Sequence, residues 1–394
     1  MELKGNVHYV GVNDRQKYLF ENLWPLPNGV SYNSYLIADD KIALIETVDV
    51  RYFEVYIKKI KNVIGEKPID YLIIDHMEPD HSGSIGLIKK YYPDITLVGN
   101  VKTFTMVEGY YGVQGNQLVV KEGDILDLGH HKLQFAMIPM VHWPETMVTF
   151  DMTEGIIFTG DALGAFGALN GGVIDTQINT DGYWSEMERY YSNIVGKYGI
   201  PVQKALAKLS CLPIKMACPT HGPVWTEQLP KVIGIYDRMS KYEAQEGVVI
   251  VYGTMYGNTE MMAEIIAEEL NRQGIKNIIV ENVSRKHHSY IIQEVFNYKG
   301  LILGCPTYNT DIYPEMEALL GELASRDIKN RYFGWFGSFS WAGNAVKKIG
   351  AYNEKLKYEQ VGTPVEMRQA MKPVTEKECR ALAKAMADRL KADR

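Results

Sequence analysis

The chain reads as α/β throughout, in two parts, and three observations predict it. From Val248 onward, β-branched apolar runs alternate with helical patterns, the mark of a doubly wound parallel sheet. Before that point the chain is rich in short strands, several of which end in His, Asp or Glu. Between them, the break Gln245-Glu246-Gly247 predicts a boundary, with one domain over 1–246 and a second over 247–394. The 394 residues suit two to three domains of about 150 residues each. An apolar fraction of 46% is enough for full cores.

In the first domain, Ser34-Tyr35-Leu36-Ile37-Ala38 and Ile42-Ala43-Leu44-Ile45 flank Asp39-Asp40-Lys41, a hairpin signal. Helical spacing of apolar residues predicts a helix over 52–64. Tyr71-Leu72-Ile73-Ile74-Asp75 predicts a buried strand that delivers His76-Met77-Glu78-Pro79-Asp80-His81. Four ligand-type side chains then share one tight turn. A helix over 84–92 stops at Pro93, and 95–98 is a further strand. Three later strands behave alike: 133–139 leads to His142, 155–160 to Asp161 and 214–219 to His221. A lone His after a strand is more often a satisfied polar residue, but four such events in one domain point to metal. His8, His130-His131 and His287-His288 lack this setting and are expected to bind none. Gly164, Gly167, Gly171, Gly172 and Gly182 mark a long segment of weak periodicity, expected to cover the cluster. A helix is predicted over 185–198.

In the second domain the predicted strands are 248–252, 277–283, 300–304, 332–336 and 357–362. The clearest helices are 261–273, 314–326 and 375–390. The first strand runs into Thr254-Met255-Tyr256-Gly257-Asn258-Thr259 and then a helix N-terminus. Hydroxyls and backbone N–H groups there suit a phosphate without a lysine. Two further strand ends carry Cys305-Pro306-Thr307-Tyr308-Asn309-Thr310 and Gly337-Ser338-Phe339-Ser340-Trp341-Ala342-Gly343. Both mix small residues with an aromatic able to cover a flat ring, and ligands of such sheets bind at strand ends.

The ligand spacing resembles the metallo-β-lactamase-like fold, an αββα sandwich with a two-metal site between its sheets. The usual hydrolase pattern there is His-x-His-x-Asp-His. Here Glu78 stands in place of the second His, which resembles the flavodiiron proteins. The resemblance implies that His76, Glu78 and His142 bind one iron, that Asp80, His81 and His221 bind the other, and that Asp161 bridges them. It implies that Tyr190 approaches the metals and donates a hydrogen bond to substrate. The three loops of the second domain resemble a flavodoxin-type FMN site, with Trp341 and Tyr308 beside the isoalloxazine. The implied protein is an oxidoreductase with FMN and two iron ions, reducing dioxygen to water or nitric oxide to nitrous oxide. The resemblance further implies a head-to-tail homodimer, or a dimer of such dimers, in which each FMN serves the partner's metal site.

Other classes are disfavoured. A net charge of -6 with no basic stripe argues against nucleic acid, and no apolar run suits a membrane span. Met1-Glu2-Leu3-Lys4 shows no signal-peptide core, so a cytoplasmic location is expected. Cys211, Cys218, Cys305 and Cys379 form no Cys-x-x-Cys pair, so a separate electron donor is expected, such as rubredoxin or a reduced deazaflavin. Two rivals stay open: a zinc hydrolase joined to a flavodoxin-like redox module, and an electron carrier with a vestigial metal site. Oxygen-rich ligation favours iron over the first.

Overall fold

A computed structural model describes residues 1–393. The chain divides into one unit of Met1–Tyr191 with Tyr198–Asp237, and another of Ser192–Lys197 with Arg238–Arg394. The first is the αββα metallo-β-lactamase-like sandwich and the second the flavodoxin-like parallel sheet.

In the first unit, a seven-stranded sheet runs in the order Glu2–Lys4, Val7–Tyr9, Tyr35–Ala38, Ile42–Ile45, Tyr71–Ile73, Thr96–Gly99, Gln117–Val119. The expected hairpin pairs Tyr35 with Ile45 and Ala38 with Ile42. From Ile42–Ile45 onward the neighbours are parallel, with Ile45 opposite Ile73. Two parallel neighbours must end on the same side. The residues that follow them, Glu46 and His76–His81, therefore emerge together.

The second sheet runs Ile125–Asp127, Lys132–Met137, Met147–Asp151, Ile156–Phe158, Met216–Cys218. It is antiparallel except for its last pair, where Phe158 faces Cys218 in parallel register. That one parallel pair brings the residues after each strand, Asp161 and His221, to a common edge.

In the second unit the sheet order is Ile278–Asn282, Gln245–Tyr252, Tyr298–Pro306, Tyr332–Phe339, and all pairs are parallel. Counted along the chain this is order 2-1-3-4-5, with its switch point between Gln245–Tyr252 and Tyr298–Pro306. Residues 247–252 are all buried, as a central parallel strand requires. Helices Asn258–Arg272 and Pro373–Lys391 cover one face, inserting Met262, Ile266, Leu270, Leu382, Met386 and Leu390.

Two elements differ from expectation. The fifth strand, expected over 357–362, is two short pieces, Glu359–Gln360 and Val365–Arg368, both paired with Tyr332–Phe339. Gly362 at φ +71° and Pro364, which lacks an N–H, break it. The helix expected over 185–198 starts earlier, at Asp181, and stays regular only to Tyr190. Beyond it Tyr191–Val195 is a wider π-turn. Six α-helices add to those expected: the short Pro79–Ser82, which carries Asp80 and His81, and Val101–Tyr111, Gly199–Leu209, Leu229–Ser240, His288–Asn297 and Ala345–Leu356.

One buried side chain ties the start of the second unit to its sheet. Arg331 donates to the carbonyls of Val295 (2.6 Å) and Phe296 (2.8 Å), at the end of helix His288–Asn297. It also donates to Tyr242 (3.0 Å) and Lys329 (2.6 Å). Burial pulls its guanidinium down to about 10. Carbonyls at a helix end have no donor within the helix, and Arg331 supplies one here. Arg331→Met should cost about 3 kcal/mol, because it removes several buried hydrogen bonds at once. The check is urea denaturation of the full chain: the midpoint should fall with little change in slope.

Candidate metal centre and flavin cradle

Seven side chains from the ends of the two sheets converge in the first unit. The His142 Nε2 lies 3.1 Å from Glu78 Oε2, 3.1 Å from Asp161 Oδ2 and 3.3 Å from His76 Nε2. On the other side, His81 Nε2 lies 3.3 Å from Asp161 Oδ1 and 3.8 Å from Asp80 Oδ1. His221 Nε2 lies 3.4 Å from Asp161 Oδ1 and 3.3 Å from Asp80 Oδ2. The cluster therefore splits into two halves, each with two imidazoles and one carboxylate. Asp161 turns one oxygen to each half.

The donor set fits metal ions on its own terms. His81 Nε2, His221 Nε2 and both Asp80 oxygens are buried without a hydrogen-bond partner. Separations a little above 3 Å are what ligands at about 2.0–2.2 Å from one ion would show. Two imidazoles with one carboxylate and open positions is a donor set typical of non-haem iron. Zinc, which has no redox chemistry, is the less apt occupant.

The protonation of the bare cluster shows the same strain. Burial pushes the Asp80 carboxyl up, to about 6, and the Glu78 charge adds to it. Burial acts likewise on Glu78, but His142 and His76 override it and hold that group at about 2. Burial also opposes a charged His142, yet hydrogen bonds to Asp161 and Glu78 bring it up to about 10. Three carboxylates so close require positive charge, supplied by protons or by metal.

A second layer orients the rings. Glu145 Oε1 takes the His76 Nδ1 at 2.7 Å and the Met77 N–H at 3.0 Å. Glu46 Oε2 lies 3.1 Å from His81 Nδ1, while its Oε1 accepts from the Asp75 and His76 N–H groups. The Ser31 carbonyl faces His221 Nδ1 at 2.7 Å, and Thr220 donates to Asp161 Oδ1 at 2.5 Å. In these three rings Nδ1 is committed, which leaves Nε2 for the centre. Glu46, Glu145, Ser31 and Thr220 were not singled out from the sequence. Glu46 did carry a signal, since it follows the strand Ile42–Ile45 as directly as the ligand-type residues follow theirs.

Tyr190 is buried, and its hydroxyl has no hydrogen-bond partner. Its ring centre lies 5.9 Å from that of His221. Burial raises its ionisation well above the usual phenol range, reinforced by Asp161 and Glu78, so it remains a neutral donor. Residues 162–169, the start of the glycine-marked segment, are buried, and Ala165 N–H donates to the His221 carbonyl. Two of the histidines outside the cluster have other partners. His131 sits between Asp151 (2.8 Å) and the Gly5 carbonyl (2.6 Å), and His288 pairs with Glu322.

In the second unit, two cavities lie at the carboxyl ends of the strands. One of about 330 Å³ is lined by Thr254, Met255, Tyr256, Asn258, Thr259, Pro306, Thr307, Ser338, Phe339, Ser340, Gln369 and Ala370. The other, about 590 Å³, is lined by Met255, Tyr256, Thr307, Tyr308, Asn309, Thr310, Ser340, Trp341 and Ala342. The first suits a phosphate: it opens beside the N-terminus of helix Asn258–Arg272, where Thr259 Oγ1 and Ser338 Oγ meet at 2.8 Å. The second suits a flat ring, with Tyr256 and Trp341 90% and 84% exposed at its rim. Gly257 and Gly343 line neither cavity. Gly257 makes the turn before the helix at φ +89°, and a Cβ on Gly343 would collide with Glu366. Gln369 and Ala370, after the broken fifth strand, were not expected.

Comparison with known proteins agrees with both halves. Residues 30–222 match the ODP family beta lactamase and residues 250–392 match flavodoxin. The anaerobic nitric oxide reductase flavorubredoxin of Salmonella paratyphi B is 30% identical over 91% of this chain and 76% of its own length. The chain belongs to the flavodiiron protein family. An uncharacterized protein of Methanocaldococcus jannaschii is 31% identical over 98% of each chain. Among solved structures, rubredoxin oxygen:oxidoreductase from Desulfovibrio gigas has a TM-score of 0.96 at 28% identity, covering 100% of this chain and 98% of that one. The flavoprotein of Thermotoga maritima has a TM-score of 0.90 at 26% identity, with 98% and 96% covered. As a flavodiiron protein the chain is an oxidoreductase, and its cofactors are FMN and a diiron centre.

The second layer generates a test. Glu145→Gln and Glu46→Gln should each weaken metal retention by about 10–100-fold, because each loses the acceptor that fixes one ring. Iron content after timed exposure to a chelator measures it. Retention equal to the unsubstituted chain would remove these carboxylates from the site.

Proposed function

We propose that this flavodiiron protein reduces dioxygen to water or nitric oxide to nitrous oxide. One observation carries the proposal: two sets of two imidazoles and a carboxylate share the single carboxylate of Asp161. His76, Glu78 and His142 would hold one iron, Asp80, His81 and His221 the other, with Asp161 between them. The FMN would lie on Thr254–Thr259, Pro306–Asn309 and Ser338–Gly343, with its phosphate at the helix N-terminus. The domains are taken as 1–246 and 247–394, in a cytoplasmic protein.

An iron pair held by these residues would supply reducing metal ions, and a bound FMN would supply electron-transfer chemistry. The protein's own groups do the rest. Glu46 and Glu145 hold His81 and His76 in the tautomer that leaves Nε2 free. Tyr190, neutral and without a protein partner, can donate a hydrogen bond to substrate. Phe20 and Phe166, edge-on to the Tyr190 ring at 6.2 and 5.0 Å, keep its surroundings apolar. Such an interior admits a neutral diatomic and disfavours bulk water. Electrons would come from a separate donor, such as rubredoxin or a reduced deazaflavin.

We also propose a head-to-tail homodimer, in which the FMN of one chain serves the metal centre of the other. Trp143, whose ring lies 5.2 Å from that of His76, and the exposed Trp341 are the side chains expected at that junction.

Two measurements test these proposals. The purified protein should carry about two iron ions per chain, and Asp161→Ala should lose both. Anaerobically reduced protein should turn over with one or both gases in a single cycle, with water or nitrous oxide as product. Two zinc ions with hydrolytic activity would overturn the redox assignment. For the relay, a chain lacking metal (His81→Ala with Asp161→Ala) is co-expressed with one unable to bind FMN. The mixed dimer should regain activity absent from either parent, since one intact FMN then serves one intact centre. Activity confined to a stable monomer would rule out the cross-chain path.

A further inference from the structure

We infer that Lys17 is a positioning residue for the gas-reducing site: it holds the Tyr32 hydroxyl so that the phenolic hydrogen is left for a group on the Asp80–His221 side of the centre. This rests on the function proposed above.

Lys17 lies just before the short strand Leu19–Phe20. Its backbone N–H is drawn in by Asp14 Oδ1 at 2.8 Å. Its side chain lines a cavity of about 280 Å³ together with Phe20, Glu78 and Asp80, and is the one cation there among the described residues. The Nζ lies 2.9 Å from Tyr32 Oη and sits over the rings of Tyr32 and Phe20 at 5.4 and 5.7 Å. Both rings meet His221 edge-on, at 5.9 and 5.4 Å. The ammonium thus caps two walls of the aromatic surround of one proposed ligand.

The direction of the hydrogen bond follows from chemistry alone. An ammonium has only donors, so Tyr32 Oη must accept. The phenolic hydrogen then points elsewhere, and among the described residues Lys17 is the only hydrogen-bond partner of Tyr32 Oη. Lys17 joins the phenol to the Asp80–His221 side of the centre: its side chain holds Tyr32 Oη and lines the same cavity as Asp80. The phenolic donor is therefore unspent on that side. Pairing with Asp49 does not account for Lys17. That contact is 3.8 Å, and Asp49 already accepts from the Arg51 side chain through both oxygens at 3.0 Å. Strand Val30–Tyr32 serves His221 twice, through the Ser31 carbonyl on its Nδ1 and through the Tyr32 ring.

The test uses full-length protein with its iron and FMN contents measured, in the variants Lys17→Met, Lys17→Arg, Tyr32→Phe and the Lys17→Met/Tyr32→Phe pair. The first and third should each lower kcat about tenfold with KM unchanged, the size expected for one lost hydrogen bond to a reacting group. The pair should be no worse than either alone, since both remove the same donor. Lys17→Arg, which also only donates, should recover most of the rate. Nitric oxide added to the reduced protein gives a second readout: its N–O stretching band should move alike in Lys17→Met and Tyr32→Phe. Additive losses, or normal rates with an unmoved band, would overturn the inference. Inactivity of the unsubstituted chain toward both gases would instead overturn the proposed function, and the band would still report the hydrogen bond.

Discussion

Three buried carboxylates and four imidazoles meet in one place, and most of the first unit serves to make that arrangement tolerable. Ionised carboxylates taken out of water cost several kcal/mol each unless they are paired and hydrogen-bonded. Neighbouring elements supply the pairing. Parallel strand ends set Glu46 beside the 76–81 turn, and one parallel pair in the second sheet sets Asp161 beside His221. Within the ligand set, the buried atoms left without a hydrogen-bond partner belong to Asp80, His81 and His221, where cations would complete the pairing.

Much of this was legible in the sequence, because ligand-type residues that follow apolar runs are visible as local pattern. His76, Glu78, Asp80 and His81 share one turn, and His142, Asp161 and His221 repeat the same grammar. The second layer was not legible, for a physical reason. Glu46 meets His81 across 35 residues, and Glu145 meets His76 across 69, so neither contact follows a spacing rule. The regular part of the second unit was legible for the opposite reason: a central parallel strand must be apolar throughout, and Val248–Tyr252 is. Helix Val101–Tyr111 escaped notice although Asn100 caps it from Lys102 and Thr103. Its own amphipathic pattern is weak. The fifth strand misled because β-branched and aromatic residues near 358–361 outweighed the signal of Gly362 and Pro364.

The second unit solves a different electrostatic problem with different means. No charged side chain lines either of its two cavities. A phosphate there would be held by hydroxyls, backbone N–H groups and the field of a fifteen-residue helix. The sheet order puts both cavities on the carboxyl side of the strands, where its reversal opens a crevice. The exposed aromatics Tyr256 and Trp341 are then features of the rim, and need no role in the core.

The ligand set is drawn from both sheets of the first unit: His76, Glu78, Asp80 and His81 follow a strand of one, while His142, Asp161 and His221 follow strands of the other. Each of the two proposed sets draws on both sheets, so an ion held by either would also be a rivet. Without it, the two layers are held by apolar packing and by hydrogen bonds such as those of Glu145 to His76 and Thr149 to Asp75, while acidic groups confront one another across the seam. Capture of metal becomes part of completing the fold, as for any ligand that binds only the native state. A cell short of iron would then lose this protein to unfolding and proteolysis, as well as to idleness.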